Sequence, residues 1–379
     1  MPTATVHAPL DGVKPYKSLS NDELQERIAA VRAEMGPRLL ILGHHYQQDE
    51  VIELSDLRGD SYQLSQMAAD SSDCRAIAFC GVHFMAETAD ILANRPEKLT
   101  ERDGQRVRVM LPDLAAGCSM ADMAAIDQIE DAWDQLSEVI DTERLIPVTY
   151  INSAASLKAF VGRHGGIVCT SSNARAAIEW AYDRGDRVMF FPDQHLGRNT
   201  AMGMGIGNEL MPVWNPHEDE LGGNTEEQLL QSKVILWRGH CSVHQMFKPE
   251  HVAMFRASHP GIQILVHPEC PQEVFELADR SGSTGAIIKA VREAPAGSKW
   301  AIGTELHLVN RLKQEHPEQE IHFLSPVVCM CATMYRIDLA HLCWTLENLA
   351  AGTPVNTIEV DEETSKWSLV ALERMLEVR

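Results

Sequence analysis

The chain has 379 residues, 45% hydrophobic and 23% charged, with a formal net charge of −21. A chain this long buries a large core without disulfides, and its charge argues against a nucleic-acid or anionic-membrane partner, whose phosphates it would repel. With no apolar run of about 18 residues to span a membrane and no apolar signal-peptide core in MPTATVHAPLDGVKPYKSLS, we expect a cytoplasmic, reducing setting in which cysteines are buried, catalytic or metal-bound.

In chain order, NDELQERIAAVRAEM (21–35) predicts an amphipathic helix with Asn21 or Asp22 near its cap. Short apolar runs then alternate with helical stretches. RLLILGHHY, AIAFCG and RVRVMLPD read as buried strands, then LIPVTYIN, GIVCTSS, RVMFFPD and KVILWRG, then IQILVHPE, SKWAIGTE and IHFLSPVV. Apolar runs of this length separated by helices predict parallel sheets built from βαβ units.

The order of these runs repeats. Each third of the chain opens with a strand ending in polar groups: His44 and Tyr46, then Tyr150 and Asn152, then His267 and Glu269. Each closes with an apolar strand followed by cysteine: Cys118, Cys241, and one of Cys329 and Cys331. The expected fold class is α/β, with three similar α/β/α parallel-sheet domains around a pseudo-threefold axis and the active site at their junction. The expected divisions are an N-terminal extension and helix (1–37), repeats at 38–130, 131–250 and 251–345, and a C-terminal helical segment (346–379). Ligands of α/β domains gather beyond the carboxyl ends of strands, so three strand-end cysteines would meet there.

Three thiolates without an obvious fourth ligand do not suit a structural zinc site, which uses four protein ligands. They suit a four-iron cluster with one iron left open to act as a Lewis acid. A zinc-dependent hydrolase or lyase using the Cys/His groups of GHCSVH and HHY is the rival reading. Cys74, Cys80, Cys169, Cys270 and Cys343 read as small buried hydrophobes.

GDSYQLS, CTSSNA and GSTGA place hydroxyls at helix starts, where they either cap the helix or help its free N–H groups bind an anion. GMGIGNE (203–209) has the wrong spacing for a dinucleotide fingerprint and follows no clear strand. It lies in a polar, glycine-bearing stretch, about 200–230, expected to be an inserted loop.

With these residues in hand, the sequence resembles the quinolinate synthase family, the A protein of NAD biosynthesis, in its longer branch. The segments that carry the resemblance run from about Leu39 to the C-terminal helix and include GHHYQQDEVIELSD, CGVHFMAETADIL, LPDLAAGCSMAD, YINSAASLKA, FPDQHLGRN, WRGHCSVH, LVHPEC, IGTE and CATM. The resemblance implies condensation of iminoaspartate with dihydroxyacetone phosphate to quinolinate, with loss of phosphate and water. It also implies an oxygen-sensitive [4Fe-4S] cluster on three cysteines. Carried over by motif, these are Cys118, Cys241 and Cys331; some members have C-x-x-C-x-x-C where this chain has C-x-C, and the following ATM aligns Cys331 with the ligand. The implied substrate pocket is His44, Tyr46, Ser61, Tyr150, Asn152, Ser171, His267, Glu269 and Thr284, with Ser171 chosen over Ser172. His44, Tyr46, His267 and Glu269 would do the catalysis. A transient contact with the L-aspartate-oxidising enzyme that supplies iminoaspartate is a further expectation.

Overall fold

The structure, a computed structural model, describes residues 10–70, 74–328 and 330–378. The predicted first helix spans Asn21–Met35, but its cap is Ser20, not Asn21 or Asp22. The Ser20 side chain accepts the Glu23 N–H while Glu23 reaches back to the Ser20 N–H, a reciprocal box that satisfies two end donors at once.

The first sheet contains β1 (Leu39–His44), β2 (Leu57–Gly59), β3 (Ala76–Cys80) and β4 (Arg108–Met110). The second contains β5 (Leu145–Tyr150), β6 (Ile167–Cys169), β7 (Arg187–Phe191), β8 (Val213–Trp214) and β9 (Val234–Trp237). The third contains β10 (Gln263–Val266), β11 (Arg280–Ser281), β12 (Lys299–Gly303) and β13 (Glu320–Phe323). A last strand, β14 (Thr357–Ile358), joins the first sheet antiparallel to β4.

The strand orders are β14-β4-β3-β1-β2, β6-β5-β7-β9-β8 and β11-β10-β12-β13. Each sheet therefore shares one core order, in which the second strand flanks the first, the first pairs with the third, and the third with the fourth long strand. Apart from β14 the pairings are parallel. The protein is thus α/β with three mostly parallel sheets flanked by helices. Central strands are covered on both faces, which is why β3 and β5 are buried throughout and read as unbroken apolar runs.

The chain divides into two compact units, one of Met1–Cys118 with Cys331–Ser365 and the other of Ser119–Met330 with Lys366–Arg379. The first holds the first sheet. There the helix Leu339–Ala350 buries one face, and its Glu347 takes both Arg27 and Tyr16 at 2.6 Å. The second unit holds the other two sheets. Its third sheet packs Ile264, Val266, Ala301 and Leu324 against Phe247, Val252 and Val274.

The stretch 200–230 is not all loop: it contributes β8 to the edge of the second sheet and the helix Glu226–Gln231. Gly222 sits at φ +59, where an added Cβ would lie 2.5 Å from the Trp214 ring, so only glycine lets that turn close over β8. Among the described residues, no helix is long and apolar enough to cross a membrane.

Candidate active site at the strand ends

The repeat in topology is also a repeat in local chemistry. At the end of β1, His44 Nδ1 accepts the Tyr46 backbone N–H at 3.1 Å. After β10, His267 Nδ1 accepts the Glu269 backbone N–H at 3.3 Å. Both imidazoles are buried, and each is fixed with its Nδ1 lone pair used locally. Tyr150 takes the corresponding place at the end of β5.

The helices that follow the second strands are capped by Asp60 and Ser283. Asp60 Oδ1 accepts the Gln63 N–H at 3.0 Å, and Ser283 Oγ accepts the Ala286 N–H at 3.3 Å. Ser61 and Thr284 are the first helical residues, so capping is not the task of their hydroxyls. Ser171 lies in the turn between β6 and the helix Ala174–Tyr182; it is half-buried, and Ser172 is exposed.

The cysteines separate into two groups. Burial pushes the thiols of Cys74 and Cys343 up to about 11 and that of Cys80 up to about 12, and raises Cys169 and Cys270 as well. Such thiols are poor ligands. Cys118, Cys241 and Cys331 are instead partly exposed. Each stands three residues ahead of a 3-10 turn, at Ala121–Met123, His244–Met246 and Met334–Arg336. The turns share their hydrogen bonds: Met123 to Met120, Met246 to Val243 and Arg336 to Thr333. This shared turn singles out Cys331 as the counterpart of Cys118 and Cys241; Cys329 lies outside the described residues.

Within each unit, a first-strand loop meets one of these turns. In the first unit Gln48 Nε2 donates to the carbonyls of Tyr335 and Ile337, both at 3.0 Å. In the second, Glu269 meets His244, the first residue of the turn after Cys241. There, too, the Ser119 and Ser242 hydroxyls, next in sequence to two of the cysteines, are 3.5 Å apart.

The Glu269 carboxylate is the hub of the second unit's site. Tyr150 donates to Oε1 at 2.7 Å and His244 Nδ1 lies 3.0 Å from Oε2. His244 Nε2 reaches Thr304 Oγ1 at 3.2 Å, and its ring stacks on His267 with centroids 4.6 Å apart. Burial works to raise the Glu269 pKa. The His244 and His267 rings, with the hydrogen bonds from His244 and Tyr150, outweigh it and hold the group below the usual carboxylate range. Burial, only partly offset by Glu269, lowers His267 to about 3, so its imidazole is neutral at pH 7. The 3.7 Å approach of His267 Nδ1 to Glu269 Oε1 is therefore a contact and not an ion pair. An ionised Glu269 only accepts, which puts hydrogen on Nδ1 of His244.

Beside this hub lies Asp193, which caps the helix Gln194–Gly203 through the N–H groups of His195 and Leu196. Burial first, and the Glu269 charge second, push its pKa well above the usual carboxylate value. Asn152 Oδ1, Asp193 Oδ2 and Asn199 Oδ1 are buried with no hydrogen-bond partner among the described residues. Buried polar atoms are rarely left so. His244, Asp193 and Thr304 are additions to the sequence reading. Their only advance signals were the C-x-x-H spacing of CSVH and the acidic residue ending FPD.

Of the groups predicted from sequence, the second unit brings together Tyr150, His267, Glu269 and the Cys241 thiol; one ligand atom each of Cys241, His244 and Glu269 lies within 4.8 Å of the others. The first unit holds His44 and Tyr46, whose rings meet edge to face at 4.7 Å, together with Ser61, Cys118 and Cys331.

The family model described as quinolinate synthetase A protein matches residues 26–377. The chain belongs to this family. It is 75% identical over 370 residues to the quinolinate synthase of Rhodopirellula baltica, covering 98% of this chain and 94% of that one. It is 53% identical to that of Corynebacterium glutamicum (98% and 92% covered) and 52% identical to that of Streptomyces coelicolor (95% and 89% covered). Family membership gives the Cys, His and Glu groups at the strand ends an enzymatic setting, and these groups are of the kinds that hold metals.

Proposed function

We propose that the chain is a quinolinate synthase that condenses iminoaspartate with dihydroxyacetone phosphate, releasing phosphate and two waters. The observation that carries this reading is the buried, ionised Glu269 between the Tyr150 hydroxyl and His244, beside the Cys241 thiol, in a chain matched by the family over residues 26–377.

The accessible thiols of Cys118, Cys241 and Cys331, set in three matching turns, fit a [4Fe-4S] cluster, while the desolvated thiols do not. When bound, that cluster supplies an open iron as Lewis acid toward a substrate oxygen.

The chain's own groups divide the remaining work. The helix starts at Ser61 and Thr284, and the turn at Ser171, offer hydroxyls and N–H groups to the phosphate and carboxylates, which the acidic chain otherwise repels. Glu269 takes a proton during imine formation and tautomerisation, and Tyr150 and His244 hold it in place. His267 uses Nδ1 locally and so presents Nε2–H as a neutral donor to developing oxygen charge. His44, fixed in the same way, and Tyr46 serve the triose carbons. Asn152 orients the intermediate through its open Oδ1. The enzyme would work in the cytosol, with iminoaspartate delivered by transient contact with an L-aspartate-oxidising enzyme.

The zinc reading is the weaker one. His244 already uses one ring nitrogen on Glu269 and the other on Thr304. Zinc on Cys241, His244 and Glu269 would have to break one of those buried bonds. The test is product formation: anaerobic protein, iminoaspartate generated in the assay and dihydroxyacetone phosphate should yield quinolinate. No quinolinate from cluster-loaded protein would refute the proposal.

A further inference from the structure

A second constellation lies at the opposite end of the third sheet. Glu320 is the first residue of β13 and pairs in register with Lys299 at the start of β12. His322 is two residues on, with its side chain on the same face. His259 follows the helix Pro249–Ser258, ahead of β10. This is the amino end of the strands, whereas His267 and Glu269 lie beyond the carboxyl end of β10.

One ligand atom from each of His259, Glu320 and His322 lies within 4.8 Å of the other two. His322 Nε2 is 3.0 Å from Glu320 Oε1, and His259 Nε2 is 3.8 Å from the same oxygen. Zinc bonds to nitrogen and carboxylate oxygen of about 2.0–2.2 Å set tetrahedral ligand–ligand edges of about 3.3–3.6 Å. The two observed separations bracket that edge, so small side-chain rotations would close the site.

The surroundings fix the ligands from behind. Ser258 Oγ lies 2.8 Å from His259 Nδ1, which turns Nε2 toward Glu320. Lys299 Nζ holds the other carboxylate oxygen, Oε2, at 3.2 Å. Phe255 packs on both imidazoles, at 5.5 and 5.6 Å between centroids. A single histidine would satisfy Glu320 Oε1; the second, 4.5 Å from the first between rings, is redundant for hydrogen bonding and needed for chelation. Side-chain exposures of 29% for His259, 37% for Glu320 and 30% for His322 leave room for a cation to enter and for water to complete its coordination.

We propose that His259, Glu320 and His322 form a binding site for a divalent transition metal, zinc foremost, independent of the strand-end chemistry. Two imidazoles and one carboxylate with an open position are a donor set that zinc and its neighbours accept. The metal would clip the end of the helix Pro249–Ser258 to β13, the edge strand of its sheet, and so add stability through binding.

The test is equilibrium dialysis of the full, cluster-loaded chain against zinc, with metal counted per chain. Wild type should hold one zinc more than His259→Ala or His322→Ala. In either variant the affinity should fall by more than about tenfold, the least that even an outer-sphere partner typically costs. Zinc should raise the thermal midpoint of wild type and not of the variants. Lys299→Ala removes no ligand and should keep the extra zinc. Equal zinc in wild type and both histidine variants would overturn the proposal, as would its loss in Lys299→Ala. Any zinc taken by thiols cancels in these comparisons.

Discussion

Tyr150→Phe removes one oxygen and leaves the ring, so it removes the hydrogen bond to Glu269. That bond is 2.7 Å long and buried, with Tyr150 5% and Glu269 3% exposed. Water cannot readily replace the lost donor. A hydrogen bond to a charged group contributes about 1.5–3 kcal/mol net, against about 0.5–1.5 kcal/mol for a neutral one. With Glu269 ionised, Tyr150→Phe should therefore destabilise by about 1.5–3 kcal/mol. In a Glu269→Gln background the same change loses only a neutral bond, and should cost about 1 kcal/mol less. The assay is urea unfolding at pH 7 of wild type, the two single variants and the double, under nitrogen and at equal metal load, reading midpoints at a common slope. Strict additivity across the four proteins would refute the ionised-carboxylate hub, because a protonated Glu269 would not distinguish the backgrounds.

Glu269→Gln should also lower turnover by about 10²–10⁴-fold, the usual span of general acid–base catalysis, with iron per chain unchanged; full activity would end the proton-transfer role. His267 is held near 3 in the fold and returns to about 6.5 when unfolded. The unfolded chain therefore binds the extra proton, and stability should fall as pH drops from about 6.5 toward 3, by up to about 1.4 kcal/mol per pH unit. His267→Gln should flatten that slope in urea midpoints taken between pH 7 and pH 5. Gly162→Ala would place a Cβ 2.0 Å from the Trp367 carbonyl oxygen, where the helix Ala155–Arg163 meets the C-terminal helix. It should destabilise by about 1–3 kcal/mol, the usual cost of overpacking; an unchanged melting temperature would contradict that close approach.

Each of the ten strand runs read from sequence contains a strand, because each is an apolar run long enough to show its burial. β2, β8, β11 and β14 went unread. Each is two or three residues long and lies at a sheet edge. In β2 and β11, Leu57, Arg58, Arg280 and Ser281 are exposed; β8 and β14 bury Trp214 and Ile358 but are too short to show a pattern. The cap of the first helix was legible and misread: Ser20 and Glu23 stand at capping-box spacing. In the site, His44, Tyr150, His267 and Glu269 were visible as polar residues ending apolar runs. The partnership of Tyr150 with Glu269 was not, since 119 residues separate them. His244 lies in GHCSVH, where the sequence alone offers it only to the rival zinc reading; only tertiary packing turns its ring toward Glu269. The raised pKa of Asp193 depends on burial and on the Glu269 charge across the site, and neither is written in its local sequence.

We propose that Cys118, Cys241 and Cys331 jointly hold an iron–sulfur cluster. Iron and acid-labile sulfide per chain, measured on anaerobically purified wild type, Cys331→Ser and Cys329→Ser, test it most directly. About four of each are expected in wild type and in Cys329→Ser, with loss of the cluster in Cys331→Ser. Zinc without sulfide, or a cluster that survives in Cys331→Ser and is lost in Cys329→Ser, would contradict it.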